Sequence, residues 1–170
     1  PLSETGHEQV RQARPALADV PVEIVIVSPL TRALQTALGL FGDHPRAPPM
    51  LVAHLARERV ENSCDVGRSP ALLAAEFPSV DVAHLDEVWW HAEGEADERG
   101  ICVEPLEAVD ARVAEFRSFL LGRPERVIAV DWGQDTGQTF AIDVNVRAYD
   151  RRGLVRDITA VLADARINIH

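Results

Sequence analysis

The chain has 170 residues, of which 46% are hydrophobic and 26% charged, enough for one domain with a core, or one domain and a fragment. Its formal net charge of −10 argues against nucleic acid and anionic membranes as partners, although a small phosphorylated substrate stays compatible with it.

No apolar run reaches transmembrane length and no signal peptide is present, so we expect a cytoplasmic protein. The cysteines and histidines show no metal-ligand spacing, and we predict neither a metal nor a cofactor. Because the chain starts at Pro1 without a methionine, we expect a fragment, a processed product or an engineered piece.

The first 41 residues predict a helix, a strand and a second helix. Ser3 can cap a helix that runs to about Ala18 and that Pro15 should kink. Residues 22–27 form a short, mostly β-branched run, which is typical of a strand buried on both faces of a parallel sheet. A helix with apolar residues at helical spacing begins at Thr31.

The next stretch, to residue 124, contains two further helices separated by loops. Residues 51–55 predict a short strand or an extended segment, and Pro70 opens a helix that ends near Phe77. The pair Trp89 and Trp90 lies in a loop, where packing is the better interpretation than a substrate cleft. A long amphipathic helix is predicted from Pro105 to about Leu121. Its apolar stripe consists of Leu106, Val109, Val113, Phe116 and Leu120.

Arg32 is the first candidate for a functional residue. It lies in the first turn of a predicted helix, just past the carboxyl end of a strand, where ligands bind in open α/β sheets. The free N–H groups of a helix start and a fixed guanidinium together favour a phosphate. A surface arginine after a strand explains the residue equally well.

The segment Ser28 to Ala37, Ser-Pro-Leu-Thr-Arg-Ala-Leu-Gln-Thr-Ala, resembles a signature of the histidine phosphatase (phosphoglycerate mutase-like) superfamily. The opening residues 1–9 are similar to the segment that precedes this signature in the family, and the resemblance extends over about residues 1–125. It implies that Arg32 holds a transferred phosphoryl group. It also implies a general acid that protonates the leaving oxygen, and Glu58 occupies a plausible position for it, although a salt-bridged surface glutamate is the alternative.

The chain departs from the family at its two catalytic histidines. The family uses a nucleophilic histidine in an Arg-His-Gly triplet after its first strand, and this chain begins after that point. Where the family places a second histidine, in a His-Gly pair, the chain has Asp131, Trp132 and Gly133. Without a nucleophile the phosphohistidine route is closed, so we predict no turnover by this chain.

The last third resembles the first half of an ACT domain, specifically that of the long stringent-response enzymes that make and degrade guanosine tetraphosphate. The resemblance extends over about residues 123–170, with a period-two strand at 139–148 and a helix at 153–165. It implies ligand or interface roles for Asp150, Arg151, Gly153 and Asn168.

These observations predict an α/β fold in which an incomplete phosphoglycerate mutase-like three-layer sandwich, residues 1–124, precedes a partial ferredoxin-like (ACT) β-α-β piece, residues 125–170. Strands 23–27 and 126–131 should be parallel neighbours, and strand 139–148 should extend or flank their sheet. Two functions stay open. The first is a degenerate phosphatase or mutase that binds a phosphorylated small molecule, and the second is a regulatory or self-association module.

Overall fold

The computed structural model describes residues 1–124, 127–132 and 142–146. These residues form four α-helices, a four-stranded sheet and two short 3₁₀ turns. Within them, no helix is long and apolar enough to cross a lipid bilayer. The predicted ACT helix 153–165 lies outside the described residues, as do most of the residues around it.

Helix α1 spans Glu4–Leu17, close to the predicted range, and Ser3 caps it. The Ser3 hydroxyl accepts a hydrogen bond from the Gly6 N–H at 3.1 Å, which satisfies one of the free donors at the helix start. Pro15 lies in the last turn, and the helix continues for two residues beyond it. Proline has no N–H to donate to the Arg11 carbonyl, so the helix lacks one backbone hydrogen bond there.

Strand β1 spans Ile24–Val27, and all four of its residues are buried. Helix α2 follows at Thr31–Phe41. Strand β2, Met50–Val52, is shorter than the predicted segment, because residues 54–56 turn into a 3₁₀ helix. Helix α3 spans Pro70–Glu76, as the proline at its start predicted, and the loop that follows contains the two adjacent tryptophans.

Helix α4, Leu106–Leu121, has the predicted bounds but not the predicted face. Leu106 and Val113 are 60% and 51% exposed, whereas Arg112 is buried. The predicted apolar stripe is therefore only partly correct: Phe116 and Leu120 do pack inward, accompanied by Phe119. The helix turns Arg112 toward the protein because that side chain has buried polar partners, which hydrophobic periodicity does not reveal.

The sheet has the order β2-β1-β3-β4, with β3 at Val127–Trp132 and β4 at Ile142–Val146. Strand β1 is parallel to both of its neighbours, and Ile24 pairs with Val127. The prediction that residues 23–27 and 126–131 are parallel neighbours is thus confirmed. Strand β4 runs antiparallel to β3 and extends the sheet, which is one of the two predicted arrangements for the longer strand.

The core lies on both faces of β1, because successive side chains of a strand point to opposite sides. Val25 and Val27 join the larger cluster, which includes buried residues of α1, α2 and α3. Ile24 and Ile26 face α4. Helices therefore cover the sheet on both sides, giving the three-layer α/β arrangement that the sequence predicted for its first part.

Candidate functional site

Arg32 lies in the first turn of α2, five positions after Val27, the last residue of β1. Buried Ser28 and Pro29 separate the strand from the helix start, and the Leu30 N–H donates to the Ser28 hydroxyl at 3.3 Å. This short connection fixes the start of the helix at the carboxyl edge of the parallel strands, as predicted. Only 17% of the Arg32 side chain is exposed to solvent.

The Arg32 guanidinium contacts three acceptors from one loop segment. Its Nη2 donates to Glu58 Oε2 at 2.5 Å and to Asp65 Oδ1 at 3.0 Å, and its Nη1 donates to the Cys64 carbonyl at 2.6 Å. The structure therefore brings together Arg32 and Glu58, the two residues that the sequence singled out. Asp65 joins them, and the sequence analysis did not identify it.

Asp65 is buried and divides its two carboxylate oxygens between Arg32 and the loop backbone. Its Oδ2 accepts from the backbone N–H groups of Glu61 at 3.2 Å and Asn62 at 2.8 Å. This arrangement forms a capping box around the 3₁₀ turn Ser63–Asp65. The spacing of Asn62 and Asp65 is the sequence signal that could have marked this turn, although it does not reveal the contact with Arg32.

The charge balance at Arg32 is negative, because one guanidinium contacts two carboxylates. Burial alone would lower the pKa of Arg32, but the charges and hydrogen bonds of Glu58 and Asp65 raise it above its ordinary value. The arginine stays protonated at every relevant pH. An anion bound at Arg32 would lie close to two negative charges.

A second group of charges lies behind Glu58 and centres on Glu104, which is 1% exposed. Arg57 donates to both Glu104 oxygens, at 2.7 and 2.8 Å, and Arg112 of α4 donates to both at 3.2 Å. We call Arg57, Glu104 and Arg112 the buried triad. Burial opposes ionisation of Glu104, but its hydrogen bonds to the two arginines lower its pKa to about 2. Sequence analysis missed Glu104 and Arg112, since neither belongs to a motif.

The two tryptophans pack beside Gly67, which confirms the interpretation of this pair as packing. Trp89 belongs to the core and Trp90 packs against it, with the rings edge to face at 5.5 Å. The Trp89 indole N–H donates to the Arg68 carbonyl at 2.8 Å. The Arg68 side chain in turn donates to the Thr31 hydroxyl at 3.2 Å, next to Arg32. The tryptophans thus hold the loop that follows Asp65 against the start of α2.

The remaining predicted site residues lie elsewhere. Asp150, Arg151, Gly153 and Asn168 are outside the described residues. Cys64 is exposed beside the site, but burial of its thiol and the nearby Asp65 raise the pKa of that thiol, which disfavours the reactive thiolate. Across residues 1–124, 127–132 and 142–146, no group of three or more metal-ligating side chains comes together.

Comparison with known proteins identifies the family. The model of the histidine phosphatase superfamily (branch 1) matches residues 1–133. The chain belongs to this superfamily. The matched residues include β1, β2, β3 and the four helices of the described part of the chain, and Arg32, Glu58 and Asp65 all lie among them.

Two kinds of curated protein are similar to this histidine phosphatase superfamily member. It is 32% identical over 163 residues to a phosphoglycerate mutase-like protein of Arabidopsis thaliana, an alignment that includes 76% of this chain and 57% of the relative. It is 38% identical over 71 residues to the GTP pyrophosphokinase of Escherichia coli K12, which is 42% of this chain and 9% of that enzyme. The chain thus spans little more than half of its phosphoglycerate mutase-like relative. No solved structure gives a significant match.

The two similarities share part of the chain. Only residues 134–170 lie outside the family match, so a 71-residue similarity to GTP pyrophosphokinase necessarily extends into it. The sheet is continuous across the end of the family match, since β3 lies inside that match and its neighbour β4 lies outside it.

Proposed function

We propose that this chain binds a phosphorylated small molecule at Arg32 and does not turn it over. The observation that carries the proposal is the Arg32 guanidinium itself, largely buried, fixed at the start of α2 and facing two carboxylates at the carboxyl edge of the sheet. A fixed guanidinium can form a bidentate pair with a phosphate, and a helix start adds further N–H donors.

The neighbouring carboxylates give this site its chemistry. Glu58 has the position from which a carboxylic acid could give a proton to a leaving oxygen, because it contacts the same guanidinium that would hold the phosphoryl group. A dianion next to both Glu58 and Asp65 would experience repulsion. Phosphate binding at Arg32 should therefore be coupled to movement or protonation of Glu58, the more exposed of the two carboxylates.

The proposed lack of turnover concerns these 170 residues alone and rests on their histidines. Its six histidines include none in an Arg-His-Gly triplet and none followed by glycine. A phosphohistidine intermediate needs such a group in line with the phosphorus atom, and removing one member of a catalytic unit usually removes most of the rate. We propose that these 170 residues by themselves are inactive.

Calorimetric titration with inorganic phosphate and 3-phosphoglycerate, together with a p-nitrophenyl phosphate assay, tests both halves of the proposal. We expect binding by the wild type, much weaker binding by Arg32→Ala, and no turnover above background. Arg14→Ala is the matched control, because Arg14 forms an exposed pair with Asp43, which follows the opposite end of α2 from Arg32. Turnover that persists after repurification and disappears in Arg32→Ala would overturn the inactivity. Equal titrations of the wild type and Arg32→Ala would overturn the binding site.

The partial similarity to GTP pyrophosphokinase favours a second candidate function, a regulatory or self-association module. In this proposal, residues 125–170 form the first half of an ACT-type module joined to a histidine phosphatase-like part at 1–124, and Asp150, Arg151, Gly153 and Asn168 contribute to a ligand or subunit interface. Both candidates place the protein in the cytoplasm, without nucleic acid or a membrane as partner.

A further inference from the structure

The buried triad surrounds the backbone that carries Glu58. Arg112 Nη1 donates to the carbonyls of Leu55 at 3.0 Å and Arg57 at 2.7 Å, and Arg57 Nη1 donates to the Glu58 carbonyl at 3.4 Å. Arg112 thus joins α4 to two carbonyls of this segment, and Arg57 bonds to a third from within the segment. The conformation of this segment is therefore determined by side chains distant in sequence.

Glu104 completes the arrangement through both its side chain and its backbone. Its carboxylate accepts from the Val60 N–H at 3.3 Å, its N–H donates to the Val60 carbonyl at 2.8 Å, and its carbonyl accepts from Arg59 Nε at 2.8 Å. The segment on both sides of Glu58 is thus tied to one buried residue. Glu58 itself points the other way, toward Arg32, as expected for neighbours in extended backbone such as that at Arg57.

Stability alone is a weak explanation for the buried triad. A buried ion pair often contributes no more than well-packed apolar side chains of the same volume. The triad also leaves Arg57 Nε buried with no acceptor among the described residues, a cost that an apolar core would avoid. What an apolar core could not supply is the set of directed hydrogen bonds to the backbone around Glu58.

We infer that Glu104, through Arg57 and Arg112, is the positioning residue that holds the Glu58 carboxylate against Arg32. The triad has its effect on bound phosphate only through Glu58, so this inference rests on the proposed phosphate site. Loss of Glu104 should release the 55–60 segment and separate Glu58 from Arg32 while the rest of the core stays in place.

The test compares Glu104→Gln, Glu58→Gln and the double variant. Glu8→Gln is the matched control, because Glu8 also pairs with an arginine, Arg11, but on the exposed side of α1. The first measurement is the NMR resonance of the Arg32 guanidinium, assigned with Arg32→Lys. We expect Glu58→Gln and Glu104→Gln to shift this resonance in the same direction and Glu8→Gln to leave it unchanged. An Arg32 resonance that Glu104→Gln does not move would overturn the inference.

The second measurement is phosphate affinity at neutral pH. Glu58→Gln removes a negative charge beside the bound anion, so affinity should rise about fivefold. Glu104→Gln should also raise the phosphate affinity, but by a smaller factor. The double variant should bind phosphate no more tightly than Glu58→Gln alone, because Glu104 is inferred to act only through Glu58. Additive effects, or weaker binding in Glu104→Gln, would indicate a merely structural role and contradict the inference.

Arg112→Lys provides a second variant if Glu104→Gln does not fold. It keeps a positive charge beside Glu104 but loses the fork that reaches the Leu55 and Arg57 carbonyls. We expect Arg112→Lys to shift the Arg32 resonance in the direction expected for Glu104→Gln. An unchanged resonance would overturn the inference. A wild-type chain that binds no phosphate would refute the proposed function alone, because the Arg32 resonance still decides the positioning role.

Discussion

Arg32 Nη2 and Glu58 Oε2 are 2.5 Å apart, although 26 positions separate the two residues in the chain. One lies at the start of a helix and the other in a loop after a 3₁₀ turn. The contact matters because it joins the residue suited to hold a phosphate to the residue suited to move a proton. In the proposed function, phosphate binding and proton donation would therefore depend on the same guanidinium.

Substitution of Arg32 should separate the contribution of charge from that of geometry. A hydrogen bond between a guanidinium and a phosphate contributes about 1.5–3 kcal/mol, so Arg32→Ala should weaken phosphate binding by roughly ten- to a hundredfold. Arg32→Lys should recover only part of this loss, because an ammonium cannot reproduce the planar fork. Calorimetric titration at constant ionic strength measures both variants. Full recovery by lysine would assign the effect to bulk charge.

Most of the fold could be predicted because it depends on local patterns. Ser3, the apolar run of β1 and the prolines that open α3 and α4 each mark an element boundary in the sequence, and these boundaries are confirmed within one or two residues. The parallel pairing of β1 with β3 was predicted from their mostly apolar composition.

The site was only half predictable, because its remaining contacts join residues far apart in the chain. Arg32 was found through its position after a strand and a family signature, and Glu58 through the wider family resemblance. Glu104 contacts Arg57, which is 47 positions away in the chain, and Asp65 contacts Arg32, which is 33 positions away. Neither separation follows a periodic pattern that the sequence would reveal. The same contacts explain why the predicted face of α4 was partly wrong, since Arg112 turns inward to reach Glu104.

Replacement of Glu104 should destabilise the fold strongly. Glu104→Ala leaves Arg57 and Arg112 buried without their carboxylate, and breaking a buried pair in this way costs about 3–5 kcal/mol. Chemical denaturation at neutral pH measures the loss in the free energy of unfolding. Glu8→Ala is the control, because it removes only an exposed pair. A loss no larger than that of the control would show that the triad is dispensable.

The stability of the wild type should also depend on pH through Glu104. Its pKa is about 2 in the folded chain, against an ordinary value of 4.5, so the unfolded chain takes up a proton first as the pH falls. The stabilising contribution is complete above pH 4.5 and is lost progressively toward pH 2. Denaturation midpoints measured from pH 7 to pH 2 should fall more steeply for the wild type than for Glu104→Gln. Parallel curves would contradict this assignment.

Gly67 should tolerate no side chain. A Cβ at this position would lie 2.2 Å from Trp90 Cε3 and 2.6 Å from Trp89 Cζ2, so at least one ring must move. We expect Gly67→Ala to lower the free energy of unfolding by about 1–3 kcal/mol and to change the tryptophan fluorescence. Gly122→Ala is the matched control, because its Cβ would meet nothing closer than 3.6 Å. Unchanged fluorescence in Gly67→Ala would show that the rings do not pack on this glycine in solution.

The last prediction concerns the edge of the sheet at β4. Among the described strands, β4 is one of the two terminal ones and pairs only with β3, whereas the other terminal strand, β2, is three residues long. An edge strand offers unpaired N–H and C=O groups to another chain, and polar residues such as Asp143 and Asn145 discourage such pairing only in part. We expect self-association through this edge, which light scattering across a concentration series should detect. Asn145→Lys should weaken it, since lysine on an edge strand opposes pairing, whereas Arg14→Ala on α1 should not. The chain could instead stay monomeric at high micromolar concentration while valine or isoleucine raises its melting temperature. That result would favour an amino-acid sensor, because only a bound ligand stabilises by mass action.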